Sequence, residues 1–234
     1  MSESGETPKG NAWHPYQDIE PVRRPSEAAA GSYDRLSRWY DLIAASEQAF
    51  VKEGLAMLDA GPGEKVLEIG FGTGRALVEL ARRVGKSGSV CGIDLSPEMV
   101  KRSQGRIEHA GYGDRVTLTS GNAVGLRYAD QSFDALFMSF TLELLAAADL
   151  VDVLRECLRV LRNGGRMAVV SLSKEGGPYP VRRLYEWARR LAPTLLDCRP
   201  IYTARSLERN GFSLRTVRTR CMWGMPVEIV LATN

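Results

Sequence analysis

The feature that most constrains this chain is a regular alternation of short apolar runs with amphipathic helical runs from residue 65 onward. Lys65–Ile69 is an apolar run that ends in a glycine cluster, so it reads as a strand entering a tight loop. Arg75–Val84 follows with Ala76, Leu77, Leu80, Ala81 and Val84 on one helical stripe. Ser89–Asp94 is a second strand, and Ser96-Pro97-Glu98 opens a helix with an N-cap hydroxyl, a first-turn proline and an early acid. Residues 115–120 alternate as a third strand and Phe133–Met138 is a buried fourth. Residues 148–162 place Leu150, Val153, Leu154, Cys157, Leu158 and Leu161 on one face, which makes Cys157 a core residue; Asn163-Gly164-Gly165 is expected to stop this helix. Arg166–Ser171 is a fifth strand. A helix to Asn210 and two further strands, the last at Pro226–Ala232, complete the pattern. Strands alternating with helices of this length imply an α/β fold, a mostly parallel doubly wound sheet with helices on both faces. Such sheets bind ligands beyond the carboxyl ends of their strands, so the loops after residues 69, 94, 120 and 138 are the places to look for chemistry.

Composition removes several alternatives. With 44% hydrophobic and 25% charged residues, the chain can build a large core. There are two histidines, His14 and His109, and neither accompanies a nucleophile-elbow pattern, which argues against a Ser-His-Asp hydrolase. The four cysteines are far apart with no C-x-x-C pair, so no metal site is expected and reduced thiols in a cytoplasm are. No run approaches the roughly 18 apolar residues of a membrane span. Residues 1–30, with Pro8, Pro15, Pro21 and Pro25, read as a mobile leader. The remainder, 31–234, reads as one domain with N-terminal cap helices over 31–60 and an insertion over 172–202.

The loop after the first strand is Glu68-Ile69-Gly70-Phe71-Gly72-Thr73-Gly74. The nicotinamide fingerprint G-x-G-x-x-G would need glycine where Arg75 stands, so the spacing is E-x-G-x-G-x-G. Asp94 ends the second strand 20 residues after Gly74, where an acid can accept both hydroxyls of a ribose. Gly121-Asn122-Ala123 follows the third strand and suits the polar edge of adenine, although Asn122 taken alone reads first as a simple turn residue. No P-loop is present, which points to a nucleoside without phosphates.

Taken together, Val66–Gly74, Gly92-Ile93-Asp94-Leu95-Ser96, Gly121-Asn122-Ala123, Ser132-Phe133-Asp134 and Arg159–Gly165 resemble the ordered motifs of class I S-adenosylmethionine-dependent methyltransferases. The branch most similar is the ubiquinone/menaquinone C-methyltransferase-like one, which also resembles this chain in its Tyr33-Asp34 and Tyr40-Asp41 pairs. The resemblance implies a Rossmann-like sheet of seven strands and S-adenosyl-L-methionine as cofactor. It implies that Gly70 and Gly72 border the methionine part, Glu68 orients its amino group, and Asp94 holds the ribose. It further implies that Leu95 and Met99 flank adenine, Asn122 and Ala123 meet its edge, Ser139 lies beside the methionine chain, and Tyr33 and Tyr40 close over the cofactor. The pattern departs from the family at Asn122, where Asp is more frequent, and at Asn163, where Pro is.

Charge bears on the acceptor. Residues 172–220 hold 11 Lys and Arg against 4 Asp and Glu, a net of +7, which leaves −4 for the rest of a chain whose net charge is +3. Within that segment, 181–195 sets Val181, Leu184, Tyr185, Ala188, Leu191, Ala192 and Leu195 at helical spacing, with Arg182, Arg183, Arg189 and Arg190 on the other face. This pattern suits an apolar or amphiphilic acceptor, quinone-, phospholipid- or lipid-like, and contact with an anionic membrane surface; a solvated arginine face is the simpler alternative. Glu143, just past the fourth strand, is the best-placed candidate base, and equally an acid at a helix start. The rival functions are a nucleic-acid methyltransferase and a non-catalytic nucleoside-binding protein on the same fold.

Overall fold

The computed structural model describes residues 33–176 and 199–234, with side chains from Ser46 onward. The leader at 1–30 and the basic helix expected over 181–195 lie outside the described residues.

The strands are β1 Lys65–Ile69, β2 Ser89–Asp94, β3 Val116–Ser120, β4 Phe133–Ser139, β5 Leu161–Leu172, β6 Ser213–Met222 and β7 Met225–Thr233. The helices are α1 Tyr33–Leu58, α2 Arg75–Val84, α3 Pro97–His109, α4 Ala147–Val160 and α5 Thr203–Arg209. The seven strands form one sheet in the order β3-β2-β1-β4-β5-β7-β6, parallel except for β7. The expected seven-stranded, doubly wound α/β sheet is therefore the observed one. Strand order reverses between β1 and β4, which leaves a crevice at their carboxyl ends.

Alternating side chains build a core on each face of the sheet. On one face Leu67, Ile69, Met167 and Val169 pack against Leu150, Val153, Leu154 and Cys157 of α4 and Leu207 of α5. On the other, Val66, Val90, Ala168 and Val170 pack against Leu55 and Leu58 of α1, Leu77 and Leu80 of α2, and Ile107 of α3.

The amino end of the sheet is held by ions. Asp134 accepts the Lys65 N–H at 2.6 Å and pairs with Arg162. Arg166 binds Glu64 at 2.7 Å and the Leu58 carbonyl at 2.5 Å. Arg159 donates to the carbonyls of Tyr128 and Leu126 and pairs with Asp130 and Glu156, caging the approach to β4.

Two stretches differ most from the sequence expectation, the other ends shifting by about a residue. Where cap helices are expected over 31–60, the described residues form a single helix, α1, over Tyr33–Leu58. The helix expected over 148–162 ends at Val160, and Leu161 already pairs with Phe133 as the first residue of β5. Asn163-Gly164-Gly165 is thus an irregularity inside β5, where the register shifts between Phe133 and Ala135, and not a helix stop.

Candidate functional site

The carboxyl ends of β1, β2 and β4 converge on the loop Gly70–Gly74. Its shape follows from local sterics. Gly70 has φ +72°, and a Cβ there would lie 2.3 Å from Thr141 Oγ1, so only glycine fits beneath the loop after β4. At Gly72, φ is +50° and a Cβ would meet nothing within 4 Å, so this part of the loop faces open space. The loop is pinned on both sides. Gly70 N–H donates to Ile93 O at 2.8 Å, and the Ser103 hydroxyl donates to Gly72 O at 2.9 Å.

Asp94 stands beside it. One carboxylate oxygen accepts the Gly72 N–H at 2.8 Å and the other accepts the Ser96 N–H at 2.9 Å. A carboxylate has about four acceptor positions, so each oxygen keeps one for a further donor. Ser96 caps α3 by accepting the Met99 N–H at 3.3 Å, which fixes Leu95 and Met99 around the turn. Leu95 is 71% exposed, an unusual setting for a leucine in an otherwise ordered turn, while Met99 is half-buried.

Glu68 is the outlier of the site. It is 1% exposed, and its Oε2 has no hydrogen-bond partner. Burial, with the charge of Asp94 beside it, holds its carboxyl well above the usual carboxylate range. An isolated buried carboxyl is costly, and a cation placed next to it would remove that cost. The open Gly72 loop, the orphaned Glu68 oxygen and the spare acceptors of Asp94 together fit a nucleoside that carries a positive charge.

The other expected residues are distributed as follows. Asn122 is exposed and forms an Asx turn, its Oδ1 accepting the Val124 N–H at 3.1 Å; Ala123 is buried next to it. Ser139 ends β4, and its carbonyl accepts the Thr141 hydroxyl at 3.0 Å. Tyr33 and Tyr40 belong to α1, but their side chains lie outside the described set. Glu143 is not an exposed helix-start acid. It sits in a short 3-10 turn, Leu142–Leu144, fully buried, and accepts from Ser171 Oγ at 3.0 Å and Leu172 N–H at 3.1 Å. Burial pushes its carboxyl up to about 7, helped by the charge of Glu47 on α1, itself pushed up to about 7 by burial.

Three features of the site were not anticipated from sequence. Thr141 locks under Gly70, Phe140 adopts φ +50°, and the charge of Glu47 on α1 acts on Glu143 across the fold. A positive φ on a bulky residue is rare and leaves no mark in the sequence pattern. Among the described residues, no group of three or more His, Cys, Asp or Glu is arranged to hold a metal ion, and no helix is long and apolar enough to cross a membrane.

The sequence family described as Methyltransferase domain matches residues 66–165. The chain is 37% identical over 116 residues to the ubiquinone/menaquinone biosynthesis C-methyltransferase UbiE of Hahella chejuensis, covering 50% of this chain and 46% of that one. It is 30% identical over 186 residues to the demethylmenaquinone methyltransferase of Anoxybacillus flavithermus, covering 79% and 68% respectively. These matches thus span from about half to two thirds of the relatives' own length. A solved S-adenosylmethionine-dependent methyltransferase from Aquifex aeolicus shares the fold, with a TM-score of 0.59 at 24% identity over 78% of this chain and 88% of that one. The chain belongs to the class I S-adenosylmethionine-dependent methyltransferases, whose cofactor is S-adenosyl-L-methionine. Its branch is the ubiquinone/menaquinone C-methyltransferase-like one.

Proposed function

We propose that this protein transfers the methyl group of S-adenosylmethionine to an apolar or amphiphilic small molecule of quinone-like type. The observation that carries the reading is the buried, unpartnered carboxyl oxygen of Glu68 at the switch point, beside Asp94 and the open Gly72 loop. The cofactor supplies a methyl group already activated on a sulfonium. The chain's own residues have to hold it, align the acceptor and exclude water. In this reading Glu68 faces the cationic amino group, Gly70 and Gly72 border the methionine part, and Asp94 accepts the ribose hydroxyls. Leu95 and Met99 enclose adenine, with Asn122 and the Ala123 backbone at its edge. Ser139 lies beside the methionine chain, and Tyr33 and Tyr40 of α1 close over it.

The acceptor class draws on the names of the relatives, which concern ubiquinone/menaquinone and demethylmenaquinone. A phenolic or enolic acceptor must lose a proton as the new bond to the methyl carbon forms. Glu143, the candidate base of the sequence, is fully buried and its two oxygens already accept from Ser171 Oγ and Leu172 N–H, so in this reading it braces the turn after β4 against β5 rather than taking that proton. The arginines at 182, 183, 189 and 190 are proposed to favour an anionic surface.

The first test is calorimetry with S-adenosylhomocysteine and with NAD. Saturable binding of the former and none of the latter is expected; NAD binding alone would sink the reading. Transfer of a labelled methyl group to 1,4-naphthalenediol, followed by mass identification of the product, then tests the acceptor class.

A further inference from the structure

Of the four large hydrophobic residues that are exposed among the described residues, three stand at the carboxyl rim of the sheet: Leu95 after β2, Leu144 after β4, and Trp223 in the β6–β7 turn. Trp223 is reached through register. β7 runs antiparallel to β5, with Val227 opposite Leu172, so the turn before β7 overhangs the same end of the sheet as the Gly70–Gly74 loop. Met222 pairs with Met225, leaving a two-residue turn, Trp223-Gly224, with φ +56° and +80°. Two positive φ values define a type I′ turn, whose first position favours Asn, Asp or Gly. A tryptophan there is an outlier, and it is 60% exposed. The fold therefore holds a large aromatic ring out of its own core, in a backbone conformation that this residue type disfavours.

The strand leading to the tip is basic. β6 carries Arg215, Arg218 and Arg220 and no acid, and the only acid of β7, Glu228, is buried. Arg218 and Arg220 share a single carboxylate, Glu53 of α1, at 2.9 and 3.5 Å, and both side chains remain more than half exposed. Two guanidinium groups on one carboxylate leave a net positive charge behind the ring. An indole at the apex with cationic groups set back from it matches the layering of an anionic bilayer surface, where amphipathic rings lie at headgroup depth and basic groups meet the phosphates.

We propose that the β6–β7 hairpin tip, with Trp223 at its apex and Arg218 and Arg220 behind it, docks the carboxyl rim of the sheet onto an anionic lipid surface. The proposal rests on, and deepens, the reading of that rim as the side where an amphiphilic acceptor enters. Docking there turns the mouth of the site toward the phase in which such an acceptor dissolves. It uses described residues alone and is independent of the arginines at 182–190.

The test is flotation of the full chain with pure phosphatidylcholine vesicles and with mixed phosphatidylcholine/phosphatidylglycerol vesicles at low and high salt. Association is expected with the mixed vesicles and not with the pure ones, and it should fade as salt rises. Arg218→Gln or Arg220→Gln should each weaken it about fivefold. Trp223→Asn should weaken it by about tenfold or more, since the apolar contact is lost, while Trp223→Phe keeps most of it. Asn suits a type I′ turn, so Trp223→Asn should unfold at a temperature no lower than the parent. Loss of lipid binding in that variant cannot then be a folding defect. Equal flotation of Trp223→Asn and the parent overturns the proposal. So does absence of binding to anionic vesicles, or Trp223-dependent binding to a single-stranded RNA oligonucleotide in preference to vesicles. S-adenosylhomocysteine binding, measured on the same proteins, should be unchanged by all four substitutions. A chain that floats in a Trp223-dependent way yet binds no S-adenosylhomocysteine would retain the lipid docking and lose the cofactor reading.

Discussion

At the residue scale, the proposed site holds two carboxyls in opposite situations. Asp94 already holds two backbone N–H groups and keeps acceptor capacity on both oxygens. Asp94→Ala is expected to lower affinity for S-adenosylhomocysteine by about 1.5–3 kcal/mol, the range for hydrogen bonds to charged groups, or roughly 10–100-fold in Kd. Calorimetry on the folded variant checks it, and an unchanged Kd removes Asp94 from the site. Glu68 has an orphaned oxygen and a carboxyl held well above the ordinary range. A bound cation favours its charged form, so binding should expel a proton at pH values between the bound and free pKa. The cofactor should therefore bind more tightly as pH rises through that window. Calorimetry in buffers of different ionisation heat measures the proton release, which should vanish in Glu68→Gln. Both positions stand out in the sequence as candidates because they lie at or next to the carboxyl ends of β1 and β2. The unpartnered Oε2 of Glu68 was not legible there, since it follows from tertiary burial that the strand pattern does not encode.

At the element scale, α1 explains how one helix can reach both ends of the sheet. Its 26 residues span about 39 Å. The Leu58 carbonyl binds Arg166 at the amino end, Gly54 lies on Val170 in the middle, and Ser46 donates to Met222 Sδ at the carboxyl end. The turns before Ser46, with Tyr40 and Tyr33, therefore continue past the rim. Gly54 sets the approach: a Cβ there would lie 2.5 Å from Val170 Cγ2 and 3.2 Å from Phe137 Cε2. Gly54→Val should destabilise the fold by about 1–3 kcal/mol, as overpacking does, despite the better helix propensity of the new residue. Urea denaturation should show this as a lower midpoint, and a raised midpoint would mean that α1 is not seated as described. The spacing of apolar residues predicted α2, β1 and β2 to their termini, because glycines, caps and charges mark those ends. It overran α4 by two residues. Leu161 continues the helical stripe and is buried in β5 as well, so hydrophobic periodicity cannot tell the two states apart there.

At the scale of the whole molecule, ligand and pH both act through the folded state. A ligand that binds only the folded chain stabilises it by mass action, by about 2.7 kcal/mol at 100 times Kd. For a chain of this size, S-adenosylhomocysteine at that concentration should raise Tm by roughly 5–10 °C, and a thermal scan that shows no shift argues against binding. Glu143 joins the turn after β4 to the end of β5, and its carboxyl titrates at about 7 against 4.5 when unfolded. A raised folded-state pKa means that the native protein binds the proton more tightly. The stability this contributes is complete below about pH 4.5 and is lost as pH rises through about 7. Relative to Glu143→Gln, the parent should lose up to about 3 kcal/mol between those limits, which denaturation at pH 5 and pH 8 would measure. What the sequence by itself determined was the sheet, its alternating helices and the glycine-acid pattern at the switch point. Those depend on the periodicity of side chains and on local backbone preferences, which neighbouring residues encode. Only the tertiary structure decided that the Glu68 Oε2 is unpartnered, that the charge of Glu47 acts on Glu143, and that Trp223 stands exposed at the carboxyl rim of the sheet. Each of those depends on register and packing between segments far apart in the chain, where a shift of one residue would turn the same side chain to the opposite face.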